Sequence, residues 1–482
     1  MSKRTRRQFL EDSMLAAASA VTAGSASELL GAESPQSSSA IEKLGVAVVG
    51  ARGRGSTHIG AFAGRKDTEV LYVCDADSDV GERRSKETAK RQGRQPKFET
   101  DIRRVLEDDR VDIVSIATPN HWHALGAIWS MQAGKDVYLE KPVSHNVSEG
   151  RLIVEVARKY RRICQAGTQC RSNAGMIAAM EFVQKGNIGK MNVARGLCYK
   201  RRNAVERRGV YEPPTSVDYD LWLGPAPMAP VTRSRFHYDW NWQWPYGNGD
   251  LGNQGVHQMD LARWGLGVGE LSRGVISYGS SYGNDDSGDA ASTQVVIHDY
   301  GETSLVFEVR GLKSGSYKGA RIGVIFEASG GFLVMTNYTS GAAFDLEGNK
   351  VKEFSGGGNH FDNFLHAVRS RKIQCLNADI EEGHLSSALC HMGNVSFRLG
   401  NPVSTAEMRD RLSSLNTTED VQDAFKRTLR HLKENGAVER ELRFTVGPFL
   451  AFDPQTETFL DSDEANSMLT REYRSPFVLE EV

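Results

Sequence analysis

Little in the sequence would take it out of ordinary globular chemistry in water. Neither charge sign dominates: 59 lysines and arginines face 61 aspartates and glutamates, for a formal net charge of −2 over 482 residues. That balance excludes a general electrostatic drive toward nucleic acid or anionic membrane. The small basic clusters Lys200-Arg201-Arg202 and Arg207-Arg208 read as solvated surface. Cysteine is scarce, and the six present (Cys74, Cys164, Cys170, Cys198, Cys375, Cys390) form no C-x-x-C pair. Neither a zinc site nor a disulfide framework is supported, and buried free thiols are expected instead. No window beyond the amino-terminal region is long and apolar enough for a membrane helix. There is no internal repeat.

What is present begins with Thr5-Arg6-Arg7-Gln8-Phe9-Leu10, a twin-arginine signature followed by a weakly apolar Ala/Ser stretch over 14–26. Such a stretch is too short and polar to span a bilayer. Residues 1–40 are therefore read as an export signal and a polar linker, which makes the protein periplasmic or part of the cell envelope, with no stable membrane insertion.

From residue 41 the pattern alternates. Short apolar runs at 44–50, 69–75, 111–118, 136–139 and 163–168 predict strands covered on both faces. Helices are expected near 55–64, 78–92, 101–108, 121–133 and 147–159. This alternation predicts a doubly wound parallel sheet, a Rossmann-type α/β domain over 41–168. Beyond Gln169 the pattern changes to a helix near 174–185, a strand at 190–199, an irregular aromatic-rich stretch over 200–250 and a helix at 255–266. Period-two strands follow, with Leu305, Phe307 and Val309 on one face and Ile322, Val324 and Phe326 on another. Residues 169–400 are expected to form an α+β domain with an open, mostly antiparallel sheet and helices on one side, its other face left open as a natural dimer interface. Residues 401–482 are expected to be an extension packed on this core.

Several strand ends carry chemistry. The first runs into Gly50-Ala51-Arg52-Gly53-Arg54-Gly55, a turn that lets main chain approach a pyrophosphate at a helix N-terminus. Asp75, 25 residues after Gly50, ends the next strand, where an acidic side chain accepts hydrogen bonds from ribose hydroxyls and favours NAD over NADP. Arg52 and Arg54 leave NADP open, because a guanidinium can hold a 2′-phosphate. A third strand ends in Thr118-Pro119-Asn120-His121-Trp122-His123, at the carboxyl edge where such sheets bind ligands. Its H-x-H pair lacks metal-ligand spacing and a third ligand, so no metal is expected; Asn120 also suits a helix N-cap. The next strand ends in Glu140-Lys141-Pro142.

The glycine turn, Thr-Pro-Asn strand end and Glu-Lys-Pro strand end together resemble the Gfo/Idh/MocA oxidoreductases, the glucose–fructose oxidoreductase and inositol dehydrogenase type. The resemblance continues through Gly247-Asn248-Gly249-Asp250-Leu251-Gly252-Asn253-Gln254-Gly255-Val256-His257 and a closing helix over 383–400. With the twin-arginine leader it points to secreted bacterial members. It implies a tightly held NAD, with cofactor contacts at Gly50, Arg52, Gly53, Arg54, Gly55, Asp75, Thr118, Pro119, Asn120, His123, Glu140, Lys141 and Gln169. It places Lys141 beside the nicotinamide and the reacting carbinol, Pro142 in a cis or strained bend, and His257 as a second catalytic group. The independent chemistry agrees with a base here, since hydride leaves carbon only as the hydroxyl loses its proton. A free lysine has a pKa of about 10.4 and needs burial to act so; a histidine titrating near neutrality suits a proton relay. The sequence departs from the family at Asn253, where an aspartate is common, and at Arg52, which replaces the second glycine.

For substrate, the run Tyr238-Asp239-Trp240-Asn241-Trp242-Gln243-Trp244-Pro245-Tyr246 offers aromatic faces and amides suited to sugars, although strand alternation would bury Trp240, Trp242 and Trp244 on one face instead. Lys200, Asn253, His257 and His360 join Trp240 and Trp242 as substrate candidates. Three functions follow: oxidation or reduction of a secondary alcohol on a sugar or polyol; a hydrolase or lyase that oxidises the sugar transiently; or a cofactor-binding module without catalysis, against which Lys141, His257 and the export signal argue. A homodimer or homotetramer is expected.

Overall fold

The computed structural model describes residues 43–480 except 204, 206–207, 283–287 and 415–419. The export signal and linker, and Arg207, lie outside the described residues. Five near-continuous apolar runs and one short polar segment make the first sheet: β1 (Leu44–Val49), β2 (Thr68–Cys74), β3 (Lys97–Glu99), β4 (Ile113–Ile116), β5 (Asp136–Leu139) and β6 (Cys164–Ala166). Every pairing is parallel, in the order β3-β2-β1-β4-β5-β6. Chain direction across the sheet reverses between β1 and β4, so a crevice opens beyond their carboxyl ends. β4 and β5 are buried along their whole length, as parallel strands under helices must be.

The crossovers are α1 (Gly53–Phe62), α2 (Ser78–Gln92), α3 (Ile102–Leu106), α4 (His123–Gln132) and α5 (Val147–Lys159). Local chemistry fixes their ends. Asp77 caps α2 by accepting from the main-chain N–H groups of Asp79 and Val80, and Gly93 stops it at φ 77°. Asn146 caps α5 by accepting from Glu149 N–H.

The second half begins with α6 (Ala174–Gln184) and β7 (Met191–Cys198), followed by α7 (Tyr219–Leu223), α8 (Gly249–Asn253) and α9 (Gly255–Leu266). Strands β8 (Gly274–Ser280), β9 (Thr293–Asp299), β10 (Ser304–Arg310), β11 (Ile322–Ala328), β12 (Gly331–Met335), β13 (Ser340–Phe344) and β14 (Lys350–Ser355) precede α10 (His360–Ser370) and α11 (Ile380–Arg398). After them come β15 (Asn401–Ser404), α12 (Thr405–Ser414), α13 (Asp420–Glu434), β16 (Arg443–Val446), β17 (Leu450–Asp453) and β18 (Thr458–Phe459). The sheet runs β14-β13-β12-β11-β7-β10-β9-β8-β16-β15, and β17 also pairs with β8. Only β7 and β10 among these neighbours are parallel.

Its inner face carries Leu305, Phe307, Val309, Val324 and Phe326 into one core with Met180 of α6, Met259 of α9 and Leu389 of α11. Over β8–β10 the outer face differs from the expectation of an open surface, whereas β14 at the sheet edge stays largely exposed. Ile276, Tyr278, Val295, Ile297 and Val306 are covered by Met408 and Leu412 of α12 and by Phe425, Leu429 and Leu432 of α13. Consecutive apolar residues along β8–β10 point to opposite faces and make both apolar, so each needs a layer. The cover is fastened by Glu308, which accepts from Arg427 at 2.6 Å, Arg195 at 2.9 Å and Tyr199 at 2.6 Å. The six thiols are free, and all but Cys375 are buried.

Candidate active site

The turn after β1 shows why glycine recurs there. A Cβ on Gly50 (φ +80°) would sit 2.7 Å from the Ala117–Thr118 main chain, and one on Gly55 would lie 1.7 Å from the Gly50 carbonyl. Gly53 (φ +36°) has open space where its Cβ would be. The first two glycines let the turn and α1 pack against the sheet; the third leaves a cradle beside the unpaired N–H groups of the helix start. These features fit a dinucleotide pyrophosphate.

From that cradle a cleft of about 430 Å³ runs along the carboxyl ends of the strands. Asp75 and Asp101 line one end, Thr118, Pro119, Asn120 and His123 the middle, and Lys141 and Asn253 the other. Asp75 accepts from Ala51 N–H at 2.8 Å and Asp77 N–H at 3.0 Å. Burial pushes its carboxyl up to about 6 despite those bonds. The irregular stretch of the second half supplies the facing wall: Trp222, His237, Tyr238, Trp240 and Asn241 all line the cleft. His237 contacts the Asp77 carboxylate at 2.8 Å, joining that wall to the start of α2.

Glu140, only 4% exposed, is surrounded by donors. Arg54 Nε donates to Oε1 at 2.6 Å, His58 Nε2 lies 3.1 Å from the same oxygen, and Lys141 N–H donates to Oε2 at 3.3 Å. Burial alone would raise its pKa, but His58 and the Arg54 charge hold it well below the usual carboxylate range. His58 is fully buried, which lowers its pKa against the pull of Glu140, and its Nδ1 meets Ser115 Oγ at 2.8 Å. Sequence reasoning missed it. The available signal was its place with Gly55, Ile59 and Phe62 on the buried stripe of α1, where a polar residue needs a partner.

Lys141 follows, joined to Pro142 by a cis peptide. Its Nζ donates to the main-chain carbonyl of Asn253 at 2.6 Å. The carbonyl is free to accept because the helix breaks at Gln254, between α8 and α9. Burial lowers the lysine pKa, opposed by the Glu140 charge. His123 Nδ1 and Nε2 lie 2.5 and 2.9 Å from the Pro142 and Thr118 carbonyls, tying the bend after β5 to the end of β4.

His257 lies on the first turn of α9 with its ring centroid 5.2 Å from that of Tyr338. Burial, then the Lys141 charge, push it down to about 3, so it is a neutral imidazole rather than a relay titrating near neutrality. The tryptophans also differ from a strand pattern, because Asp239–Trp242 is a tight helical turn. It turns Trp240 to the cleft and Trp242 away, into a cluster with Val205 and Ala290 under the Arg202 guanidinium at 4.8 Å. Arg52 is exposed at the turn, and Gln169 Oε1 lies 3.5 Å from Arg54. Lys200 is exposed just past β7. His360 is not brought to the cleft: its Nε2 donates to the Ala166 carbonyl at 2.8 Å and its Nδ1 meets Ser172 Oγ at 2.6 Å.

Residues 44–168 match the oxidoreductase family's NAD-binding Rossmann fold, and 195–430 match its C-terminal alpha/beta domain. An alpha-N-acetylgalactosaminidase of Shewanella oneidensis is 27% identical over 155 residues, covering 31% of this chain and 34% of that protein. A levoglucosan dehydrogenase of Pseudarthrobacter phenanthrenivorans is 25% identical over 244 residues, 49% of this chain and 55% of that protein. The chain thus spans from about a third to about half the length of these curated relatives. The WlbA dehydrogenase of Bordetella pertussis, solved with NADH and UDP-GlcNAcA, shares the fold at a TM-score of 0.54 and 19% identity, over 73% of this chain and 95% of that one. With both domains matched in order and the glycine turn, Lys141 and Asn253 of α8 gathered on one NAD-type cleft, the chain belongs to the Gfo/Idh/MocA oxidoreductase family.

Proposed function

We propose that this protein is an exported enzyme that holds NAD in the cleft and oxidises or reduces a secondary alcohol of a sugar or polyol. The observation that carries the reading is Lys141: a partly buried lysine of lowered pKa at one end of a cleft whose other end is built for a dinucleotide. When bound, NAD supplies the redox chemistry by exchanging hydride with the carbinol carbon. The chain's residues manage the proton and the fit. Lys141 takes the hydroxyl proton in oxidation and returns it in reduction. The Asn253 carbonyl aims its ammonium, and Glu140, kept ionised by its donors, anchors the main chain at Lys141. Trp240 offers an aromatic face to the C–H face of a sugar.

NAD is favoured over NADP by Asp75 and by the commitment of Arg54 to Glu140, which leaves Arg52 as the cation at the turn. The twin-arginine leader supports export after folding, with the cofactor already held. Denaturing protein recovered from the cell envelope should release NAD. Protein recovered empty and active only with added cofactor would end the claim of tight retention.

A second reading has support in the likeness to an alpha-N-acetylgalactosaminidase: transient oxidation followed by cleavage of a glycosidic bond. A sugar panel followed by cofactor absorbance and product analysis separates the two. Net reduction of NAD with an intact substrate skeleton supports the oxidoreductase; a cleaved glycoside with no net change in cofactor supports the glycosidase.

A further inference from the structure

The wall of the cleft formed by Trp122, Leu221 and Trp222 depends on tertiary contacts for its shape, Trp222 packing with Phe236 and Tyr246 on its far side. Leu221 and Trp222 lie in α7, a helix of five residues, too short to hold its shape alone. Its end leaves carbonyl groups without helical partners. Trp122 Nε1 takes two of them, donating to Leu221 at 3.0 Å and Trp222 at 3.1 Å. The ring lies against Gly224 so closely that a Cβ there would sit 2.3 Å from it.

His121 Nε2 also meets the Trp222 carbonyl at 3.0 Å, and further acceptors on this turn are met from behind by a segment distant in sequence. Arg474 donates to the Gly224 carbonyl at 3.1 Å, the Ala226 carbonyl at 3.3 Å and the Asp220 carbonyl at 2.8 Å, and to the Asp220 carboxylate at 2.6 Å. Three residues on, Phe477 is 1% exposed and meets Trp122 edge-on at 5.6 Å. The Arg474 and Arg103 guanidinium groups lie 4.9 and 5.2 Å from the Phe477 ring. The same segment is tied down upstream, where Arg471 donates to the Pro245 carbonyl at 3.2 Å and Tyr473 to Glu149 at 3.1 Å.

We propose that the segment 471–477 belongs functionally to the dinucleotide site, as a brace that holds the Trp122–Trp222 wall from outside the cleft and sets how slowly the cofactor leaves. Arg474 and Phe477 are positioning residues, since neither lines the cleft. A guanidinium spanning four acceptors holds three main-chain carbonyls over 220–226 at once, which no single hydrogen bond does. The inference rests on the reading of the cleft as an NAD site that retains its cofactor.

The test is release of NADH from the full-length protein, read by energy transfer from tryptophan during displacement with excess NAD. Parent, Arg474→Ala, Phe477→Leu and the control Val351→Ala, an exposed position on β14 away from the segment, are compared, with the thermal midpoint of each cofactor-free protein. Arg474→Ala and Phe477→Leu should release NADH about tenfold faster or more, as expected for losing one or two net hydrogen bonds or their equivalent in packing, while Val351→Ala stays at the parent rate. A lowered midpoint with release unchanged in both variants would reduce the segment to a structural role and overturn the proposal. A parent that captures no NADH removes the reading of the cleft, and the inference falls with it.

Discussion

Lys141 is aimed by the main chain of Asn253 and not by its side chain. The 2.6 Å bond ends on a carbonyl, which keeps its acceptor character at any pH. Whatever acidic limb the reaction shows therefore belongs to the lysine and the charges near it.

Lys141→Met keeps most of the stem and removes the proton acceptor. Turnover should fall roughly 10²–10⁴-fold while NADH still binds at close to parental affinity. Retained turnover on a substrate the parent uses would take the base role away from Lys141.

Asn253→Asp places a negative charge at the inner end of the cleft. That charge stabilises protonated lysine, so the acidic limb of kcat/KM should move to higher pH. His257→Ala should cut activity without moving that limb, because a histidine already down near 3 does not titrate in the working range. A limb that shifts in His257→Ala but not in Asn253→Asp would reverse these assignments.

On the proposed ribose contact, Asp75 should give NAD affinity a pH dependence of definite sign. Its carboxyl is raised to about 6, so it is ionised and accepting above that pH and protonated below. NADH should bind more weakly as pH falls through about 6, and Asp75→Asn should bind weakly at every pH with the dependence gone. Titration calorimetry across the range would show it; a flat parental profile would place the ribose elsewhere.

Trp240 and Trp242, two residues apart, should separate function from stability. Trp240→Ala should raise KM for the sugar with little change in unfolding. Trp242→Ala removes a buried ring from beneath Arg202 and should cost about 3–5 kcal/mol of stability. Equal effects of the two on KM would mean the turn acts as one unit.

The sequence was most legible where one local signal sufficed. α2, α5 and α9 lie at 78–92, 147–159 and 255–266 as expected, because periodicity agrees with caps such as Asp77 and Asn146 or with a terminating glycine such as Gly267. β3 and the strands after residue 400 were not, being two to four residues long and extended only because a neighbour pairs with them. In the site, the glycine turn and Glu140-Lys141-Pro142 announce themselves by local spacing. Trp222 and His237 sit in a stretch without period, and contacts from far along the chain place them against the cleft. The side chain of Asn253 drew attention, whereas its carbonyl makes the contact, and no substitution pattern at one position reveals a main-chain role.

The layer formed by α12 and α13 has a consequence for behaviour at low concentration. A sheet face completed by a second copy opens on dilution, since its cover is lost by mass action. Here the cover is joined to the sheet by peptide bonds and by Arg427 on Glu308, so its effective concentration is fixed by the chain itself. That part of the sheet stays covered however dilute the protein becomes.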